Sequence, residues 1–375
     1  MIVILRPGTK EDSVDFRQVV EYLENKPNIS LRVHREVGAL RTLIEIYLIG
    51  DTAGLDKLEI ESLPGVERVV RILDEYRIIG RHRDDGRPTG FEYNGVSFDQ
   101  RNLNVFAGLC AVDTPEHTEA MMAALKENGQ VCTRMGAYKP RTNPYAFQGL
   151  GKDCLQWVFE LAGKYGVKVI AMEVTHDSHL DEINQALEKA GHCTGVMLQI
   201  GTRNTQNFEL LKIVGRQQKF PILLKRGFGI TLVESLNAAE YLANEGNHKI
   251  VFALRGMKTS LGDPHRNFVD FAQVPVLKRL TRMPVCIDPS HSVGTREQDP
   301  EGILDVMHVA AQGVVAGANM ILVDFHPAPH KALVDGPQAL LLEELPYFLQ
   351  DVTIAREAYE KRTALVKNFS SKLRR

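Results

Sequence analysis

The sequence predicts an α/β protein, a (β/α)8 TIM barrel preceded by a small ferredoxin-like βαββαβ domain. Three observations predict it. Eight short apolar runs recur after residue 103 with helical segments between them. Polar and charged side chains collect at the C-terminal ends of those runs. Residues 1–74 follow a different order, in which strands and helices alternate as βαββαβ.

In the first segment, "MIVILR" is a short β run and 11–26 has helical periodicity. "ISLRVHRE" and "TLIEIYLIG" read as strands around a turn near Gly38, "GLDKLEIESL" as a short helix and "VERVVRIL" as a last strand. Residues 75–102 are polar and turn-rich, a linker ending in "FEYNGVSFD". Its Asn94-Gly95 pair signals a β-hairpin that could cover one end of the next domain. The barrel is expected over 103–365, with runs at 104–113, 130–138, 167–175, 195–203, 221–227, 248–256, 284–291 and 319–327. Stretches such as "EHTEAMMAALKENG" show helical spacing with Gly near their ends. Residues 366–375 read as a polar, solvated tail. A doubly wound open sheet is the other architecture considered, but it rarely needs eight units and no GxGxxG is present.

The bulk numbers exclude several classes. With a net charge of -2 and a pI near 6.6, no global basic field argues for nucleic acid or an anionic membrane, so any anion must be bound locally. No apolar stretch approaches the roughly 18–20 residues of a membrane span. The opening "MIVILRPGTKED" reads as strand and turn rather than a signal peptide. Five cysteines without CxxC spacing suit reduced thiols in a cytoplasm.

Chemistry is expected where the barrel runs end. In order, those ends carry Cys110; Arg134 and Lys139; Glu173; Arg203; Lys225 and Arg226; Arg255; Asp288 and His291; Asp324 and His326. In a barrel these ends form one rim, the usual active-site face. A single rim cation is ordinarily just solvated. Recurrence on all eight runs is better explained by one constellation. Seven cations (Arg134, Lys139, Arg141, Arg203, Lys225, Arg226 and Arg255) converging on one mouth require anionic ligands, two phosphates and a carboxylate by our reading. Runs seven, eight and one become neighbours on closure and offer His291, Asp324 and Cys110, with Asp335 in the following "KALVDGPQ". Taken alone, Cys110 would be a small buried apolar residue. Together, a thiolate, an imidazole and two carboxylates suit a divalent ion of Mn, Fe, Co or Zn. A Lewis acid facing a phosphate-binding rim suits carbon–carbon bond formation at the carbonyl of a phosphorylated sugar. A Schiff base on Lys225 is the competing mechanism, and it needs no metal.

"KPRTNPYAFQGLG", "LQIGTRNTQNFELL", "PILLKRG", "DPSHSVG" and "HPAPHKALVDGPQAL" resemble the type I DAHP synthases (3-deoxy-D-arabino-heptulosonate 7-phosphate synthases). "MIVILRPGT" is similar to the opening of the group with an N-terminal ferredoxin-like regulatory domain. The resemblance extends to about residue 350. It implies condensation of phosphoenolpyruvate with erythrose 4-phosphate and release of phosphate, in the shikimate pathway of aromatic amino acid biosynthesis. It implies metal ligands Cys110, His291, Asp324 and Asp335, and phosphoenolpyruvate held by Arg134, Lys139, Arg203, Lys225 and Arg255. Lys139, Pro140, Arg141 and Thr142 would form the loop taking the aldose phosphate; the relatives making an eight-carbon sugar acid have Lys-Ala-Asn-Arg there. Glu173 would help place the attacking water, with Lys139 and His291 the other catalytic groups. His34 matches an effector position for tyrosine or phenylalanine, although Glu36 stands where a small hydroxyl is expected. A cytoplasmic homotetramer is implied.

Departures from the family pattern are Leu109 and Ala111 beside Cys110, Met135 after Arg134, Asn143 after Thr142, Asp324 in place of Glu, Leu254 before Arg255, and the loop "MKTSLGDPHRNF". They leave two alternatives open: a diverged synthase using another aldose phosphate in secondary metabolism, or a weakly active regulatory homologue.

Overall fold

The computed structural model describes residues 1–37, 42–50, 52, 54–70, 76–81 and 87–373, so the turn expected near Gly38 lies outside the described residues. The chain divides into two compact units, the first over Met1–Arg77 and the second over Ile78–Arg81 and the described residues from 87 onward.

The first unit contains β1 (Ile2–Leu5), helix Val14–Glu24, β2 (Ile29–Val37), β3 (Thr42–Gly50), helix Lys57–Glu61 and β4 (Val66–Val70). The sheet order is β2-β3-β1-β4, with β1 antiparallel to both of its neighbours. Strand alternation puts Met1, Val3 and Leu5 of the first strand region and Ile44, Ile46 and Leu48 of β3 on one face, where they meet Val19 and Leu23 of the first helix. Ser13 starts that helix by accepting a hydrogen bond from the Phe16 amide.

The second unit opens with β5 (Gly90–Tyr93) and β6 (Val96–Asp99), an antiparallel hairpin. Its two loop residues, Asn94 (φ 46°) and Gly95 (φ 71°), are both left-handed, as a two-residue hairpin turn of this twist requires. Val96 and Phe98 are buried against the first residues of the barrel strands, among them Val169 and Met320, and the Val196 amide donates to the Tyr93 hydroxyl at 3.1 Å. The hairpin thus closes the N-terminal end of the barrel and leaves the opposite rim for chemistry. Phe98 stacks on Phe91 at 5.3 Å and is 1 % exposed. Phe98→Ala is therefore expected to cost about 3–5 kcal/mol of stability, read from urea denaturation.

Eight parallel strands follow: β7 (Asn104–Gly108), β8 (Cys132–Arg134), β9 (Val169–Val174), β10 (Gly195–Ile200), β11 (Ile222–Lys225), β12 (Ile250–Leu254), β13 (Val285–Ile287) and β14 (Met320–Asp324). From β8 to β14 each strand pairs with the next, and β14 returns to β7. The seam between β7 and β8 is made just past their ends by a Leu109–Met135 bridge and by Val112 N–H donating to Gly136 O at 2.9 Å. Gly136 is needed there, because a Cβ would sit 2.2 Å from the Cys110 carbonyl oxygen. The neighbouring Met135 is fully buried. Helices cover the strands from outside, and the one starting at Leu232 has a reciprocal Thr231–Glu234 capping box. The last helix, Leu345–Leu373, runs through residues 366–373, the stretch read as a polar tail.

Candidate active site

The barrel strands are nearly continuous in apolar residues, and the ionisable side chains come at or just past their C-terminal ends. Those ends surround a cavity of about 220 Å³ walled by Lys139, Pro140, Arg141, Thr142, Glu173, Arg203, Lys225, Arg255, His291 and Asp335. Beneath it lie Cys110, Arg134 and Asp324, all buried.

The ligating atoms of Cys110, His291, Asp324 and Asp335 lie within 4.8 Å of one another. Cys110 Sγ stands 3.0 Å from Asp335 Oδ2 and 3.7 Å from His291 Nε2. His291 is oriented by Asp288, whose Oδ1 accepts from the His291 backbone amide at 3.1 Å and lies 3.0 Å from Nδ1, leaving Nε2 turned to the cluster. Asp288 is fully buried and also takes Lys225 Nζ at 2.6 Å, so one carboxylate holds both a cluster imidazole and a cavity cation. A soft thiol, one imidazole and two carboxylates in a buried pocket fit a first-row divalent ion by donor type.

Cations flank this cluster. Lys139 Nζ reaches Cys110 Sγ at 2.7 Å, and Arg134 Nη1 reaches Asp324 Oδ1 at 2.5 Å. Burial alone would lower the Lys139 ammonium, but the charges of Cys110 and Asp335 override it and raise its pKa above the usual lysine value. Burial would likewise raise the Asp335 carboxyl, yet hydrogen bonding and attraction from His291, with Lys139, hold it well below the ordinary range.

Arg255 is different. It is 2 % exposed, and neither its Nε nor its Nη1 has a hydrogen-bond acceptor among the described residues. Burial pushes its pKa down to about 10, only partly opposed by Asp288, while Arg266 and Arg203 add like-charge repulsion. The Phe228 ring lies against both guanidiniums, 4.7 Å from Arg255 and 5.3 Å from Arg203. An arginine held in a cavity wall with two unused buried donors has the chemistry to hold an anion. Arg141 Nη1 is also buried without an acceptor among the described residues.

Glu173 is turned across the cavity by Gln199, whose Nε2 donates to Oε2 at 3.0 Å. Its other oxygen lies over Gly201, where a Cβ would come within 1.9 Å.

Arg226 and His326 turn away from both the cavity and the donor cluster beneath it. Arg226, expected among seven converging cations, is buried in an ion pair with Asp270 at 3.0 Å and donates to Gln273 at 2.7 Å. His326 Nε2 lies 2.9 Å from Asp113 Oδ2, which also meets His117 Nδ1 at 2.9 Å. His326 Nδ1 accepts from the Ala328 amide, so its proton sits on Nε2 and Asp113 is the acceptor. This trio ties the segment after β7 and the start of the following helix to the end of β14. Against burial, which would raise it, hydrogen bonds from His326 and then His117 hold Asp113 at about 2. A carboxyl lowered on folding stabilises above its unfolded value and loses that contribution as pH falls toward 2. Asp113→Asn should therefore cost about 2 kcal/mol near neutral pH and flatten the loss of stability between about pH 4 and pH 2, read from denaturation curves at each pH. In the first unit, His34 on β2 meets the Tyr47 ring edge-on at 6.2 Å; the side chain of Glu36 lies outside the description.

Residues 94–359 match the DAHP synthetase I family, and residues 1–74 match the DAHP synthase ferredoxin-like domain. The chain belongs to the DAHP synthetase I family. A curated relative, the phospho-2-dehydro-3-deoxyheptonate aldolase of Thermotoga maritima, is 38% identical over 354 residues, 94% of this chain and 96% of its own. The crystal structure of that Thermotoga maritima enzyme, also termed DAHP synthase, superposes with a TM-score of 0.68 at 36% identity, covering 95% of this chain and 97% of the other. A 2-dehydro-3-deoxyphosphooctonate aldolase of Rhodopseudomonas palustris is 27% identical over 257 residues, 64% of this chain and 84% of its own. The protein is thus an enzyme of the DAHP synthase family with a ferredoxin-like domain at its start. None of its described helices is long and apolar enough to cross a membrane.

The family departures now have places. Leu109 and Met135 form the buried bridge that closes the barrel. Leu254 ends β12 fully buried. Asp324 is gripped by Arg134 and by Gln338 Nε2, each at 2.5 Å. The loop after β12 is folded back on itself, with Met257 and Phe268 exchanging hydrogen bonds at 2.9 Å. Sequence reasoning missed four contributors: Arg266 and Gln338, Phe228 and Asp113. Arg266 was hidden in a loop with no strand to place it.

Proposed function

We propose that the protein condenses phosphoenolpyruvate with erythrose 4-phosphate to give 3-deoxy-D-arabino-heptulosonate 7-phosphate and inorganic phosphate. The observation that carries this reading is Arg255, buried in the cavity wall with two donors unused, beside the metal-binding type of donor cluster. Arg255, Arg203, Lys225, Lys139 and Arg134 would hold the phosphate and carboxylate of phosphoenolpyruvate, bidentate forks matching both groups. Arg141 and Thr142, in the Lys139–Thr142 loop, would take the aldose phosphate, and Pro140 restricts that loop. A divalent ion held by Cys110, His291, Asp324 and Asp335 would polarise the aldehyde oxygen. The cations neutralise two phosphorylated anions that would otherwise repel each other, which brings C3 of the enol to the aldehyde carbon. Glu173, fixed by Gln199, would orient the water that adds at C2 before phosphate leaves. Asp288 keeps the His291 imidazole and the Lys225 ammonium in register.

The finer reading includes a cytoplasmic homotetramer whose residues 1–74 regulate a barrel spanning 103–365 across the segment 75–102, with tyrosine or phenylalanine as effector near His34. Phosphate release from phosphoenolpyruvate tests the main proposal, with erythrose 4-phosphate or a five-carbon aldose phosphate, with and without chelator. Chelator-sensitive turnover with erythrose 4-phosphate is expected. Turnover with the longer aldose alone would replace the proposed co-substrate, and binding without turnover would overturn catalysis.

A further inference from the structure

The loop after β12 carries Arg266 to the far side of the two cluster carboxylates. It is stitched to the helix Pro289–Val293, which bears His291. Arg266 N–H donates to Val293 O at 2.7 Å, Asn267 N–H to Ser292 O at 3.0 Å, and Asn267 Nδ2 to His291 O at 2.7 Å. Gly294 (φ +84°) leaves the arginine stem its path, since a Cβ there would come within 2.5 Å of Arg266 Cβ. The guanidinium Nη1 then donates to Asp335 Oδ1 at 3.1 Å and to Gln338 Oε1 at 3.0 Å. Gln338, 2 % exposed, donates its Nε2 to Asp324 Oδ2 at 2.5 Å. Chemistry dictates this amide orientation, because an arginine can only donate and an ionised carboxylate can only accept.

One chain of donors therefore runs from Arg266 through Gln338 to Asp324, with a branch to Asp335. It occupies Oδ1 of Asp335 and leaves Oδ2 facing Cys110 Sγ at 3.0 Å and His291 Nε2 at 3.5 Å. Asp335 itself has a left-handed backbone (φ 53°), a conformation aspartate adopts more readily than most side chains.

We infer that Arg266 and Gln338 are positioning residues that clamp Asp335 and Asp324 in their ligating orientation and so set the affinity of the cluster for a divalent ion. The inference rests on the metal reading above. Partners of this kind typically govern metal affinity by about 10–100-fold.

The test is Mn²⁺ affinity of the metal-stripped full chain, by competition with a chelating dye, alongside its metal-free melting temperature. Arg266→Ala and Gln338→Ala should each weaken Mn²⁺ binding about 10–100-fold. The double variant should be less than about threefold worse than the weaker single one, as residues acting as one unit are not additive. Arg266→Lys, which keeps a cationic donor, should recover most of the loss. Wild-type affinity in both alanine variants, with affinity lost in Cys110→Ala, would overturn the clamp alone. Unchanged affinity in Cys110→Ala would overturn the metal reading itself. Loss in Arg266→Lys equal to that in Arg266→Ala, with a lowered metal-free melting temperature, would mark a merely structural role and also overturn the clamp.

Discussion

Arg255→Ala is expected to lower kcat/KM for phosphoenolpyruvate by about 10²–10⁴-fold in initial-rate assays, with Mn²⁺ affinity staying within about threefold of wild type. The magnitude follows from two charge-assisted hydrogen bonds, each contributing roughly 1.5–3 kcal/mol when made in a buried site. Arg255→Lys should recover little, because an ammonium cannot present the guanidinium fork and loses the stacking on Phe228. The same residue carries an opposite prediction for stability. Burial holds Arg255 at about 10, so the folded, ligand-free protein disfavours its charge. Arg255→Met should stabilise that state by on the order of 1–3 kcal/mol, measured by denaturation without substrate. Activity lost and stability gained by one substitution is the signature of a site held under electrostatic strain for a ligand. Unchanged kcat/KM in Arg255→Ala would remove the anion site from the mechanism.

The barrel was legible in the sequence because each strand, buried on both faces, reads as a nearly unbroken apolar run that ends where the rim begins. Rim residues could then be assigned by position alone, and Cys110, His291, Asp324 and Asp335 do meet. Arg226 was misread for a reason the sequence already contained. Successive residues on a strand point to opposite sides, so Lys225 turning in to Asp288 requires Arg226 to turn out, toward Asp270. Gln338 was hidden differently: Asp-Gly-Pro signals a turn, but not that the 3₁₀ turn Gly336–Gln338 brings the Gln338 side chain back beside Asp335. Arg266 and Phe228 sit in loops, whose paths depend on long-range hydrogen bonds such as those from residues 266 and 267 to Ser292 and Val293. Asp113 has a partner four residues on in His117, but its other partner, His326, is 213 residues away and no local cue links them.

Cys110→Ala is expected to release the metal ion on dialysis and to lower kcat by at least about 10³-fold, read as metal content by mass spectrometry and as phosphate release. Cys110 Sγ is where the site converges: Lys139 approaches at 2.7 Å, Asp335 at 3.0 Å, Arg134 at 3.5 Å and His291 at 3.7 Å. Removing it deletes one of four donors and also strips a partner from two buried cations. The remaining imidazole and carboxylates form a harder set, which favours Mn over the softer ions. Excess Mn²⁺ should therefore restore part of the activity, whereas Zn²⁺ should restore less. Chelator should abolish wild-type turnover yet change the residual rate of dialysed Cys110→Ala little, since both treatments remove the same group. A dialysed variant that kept its metal and its turnover would place the ion elsewhere, and Lys139 would then have its thiol partner for packing rather than for chemistry.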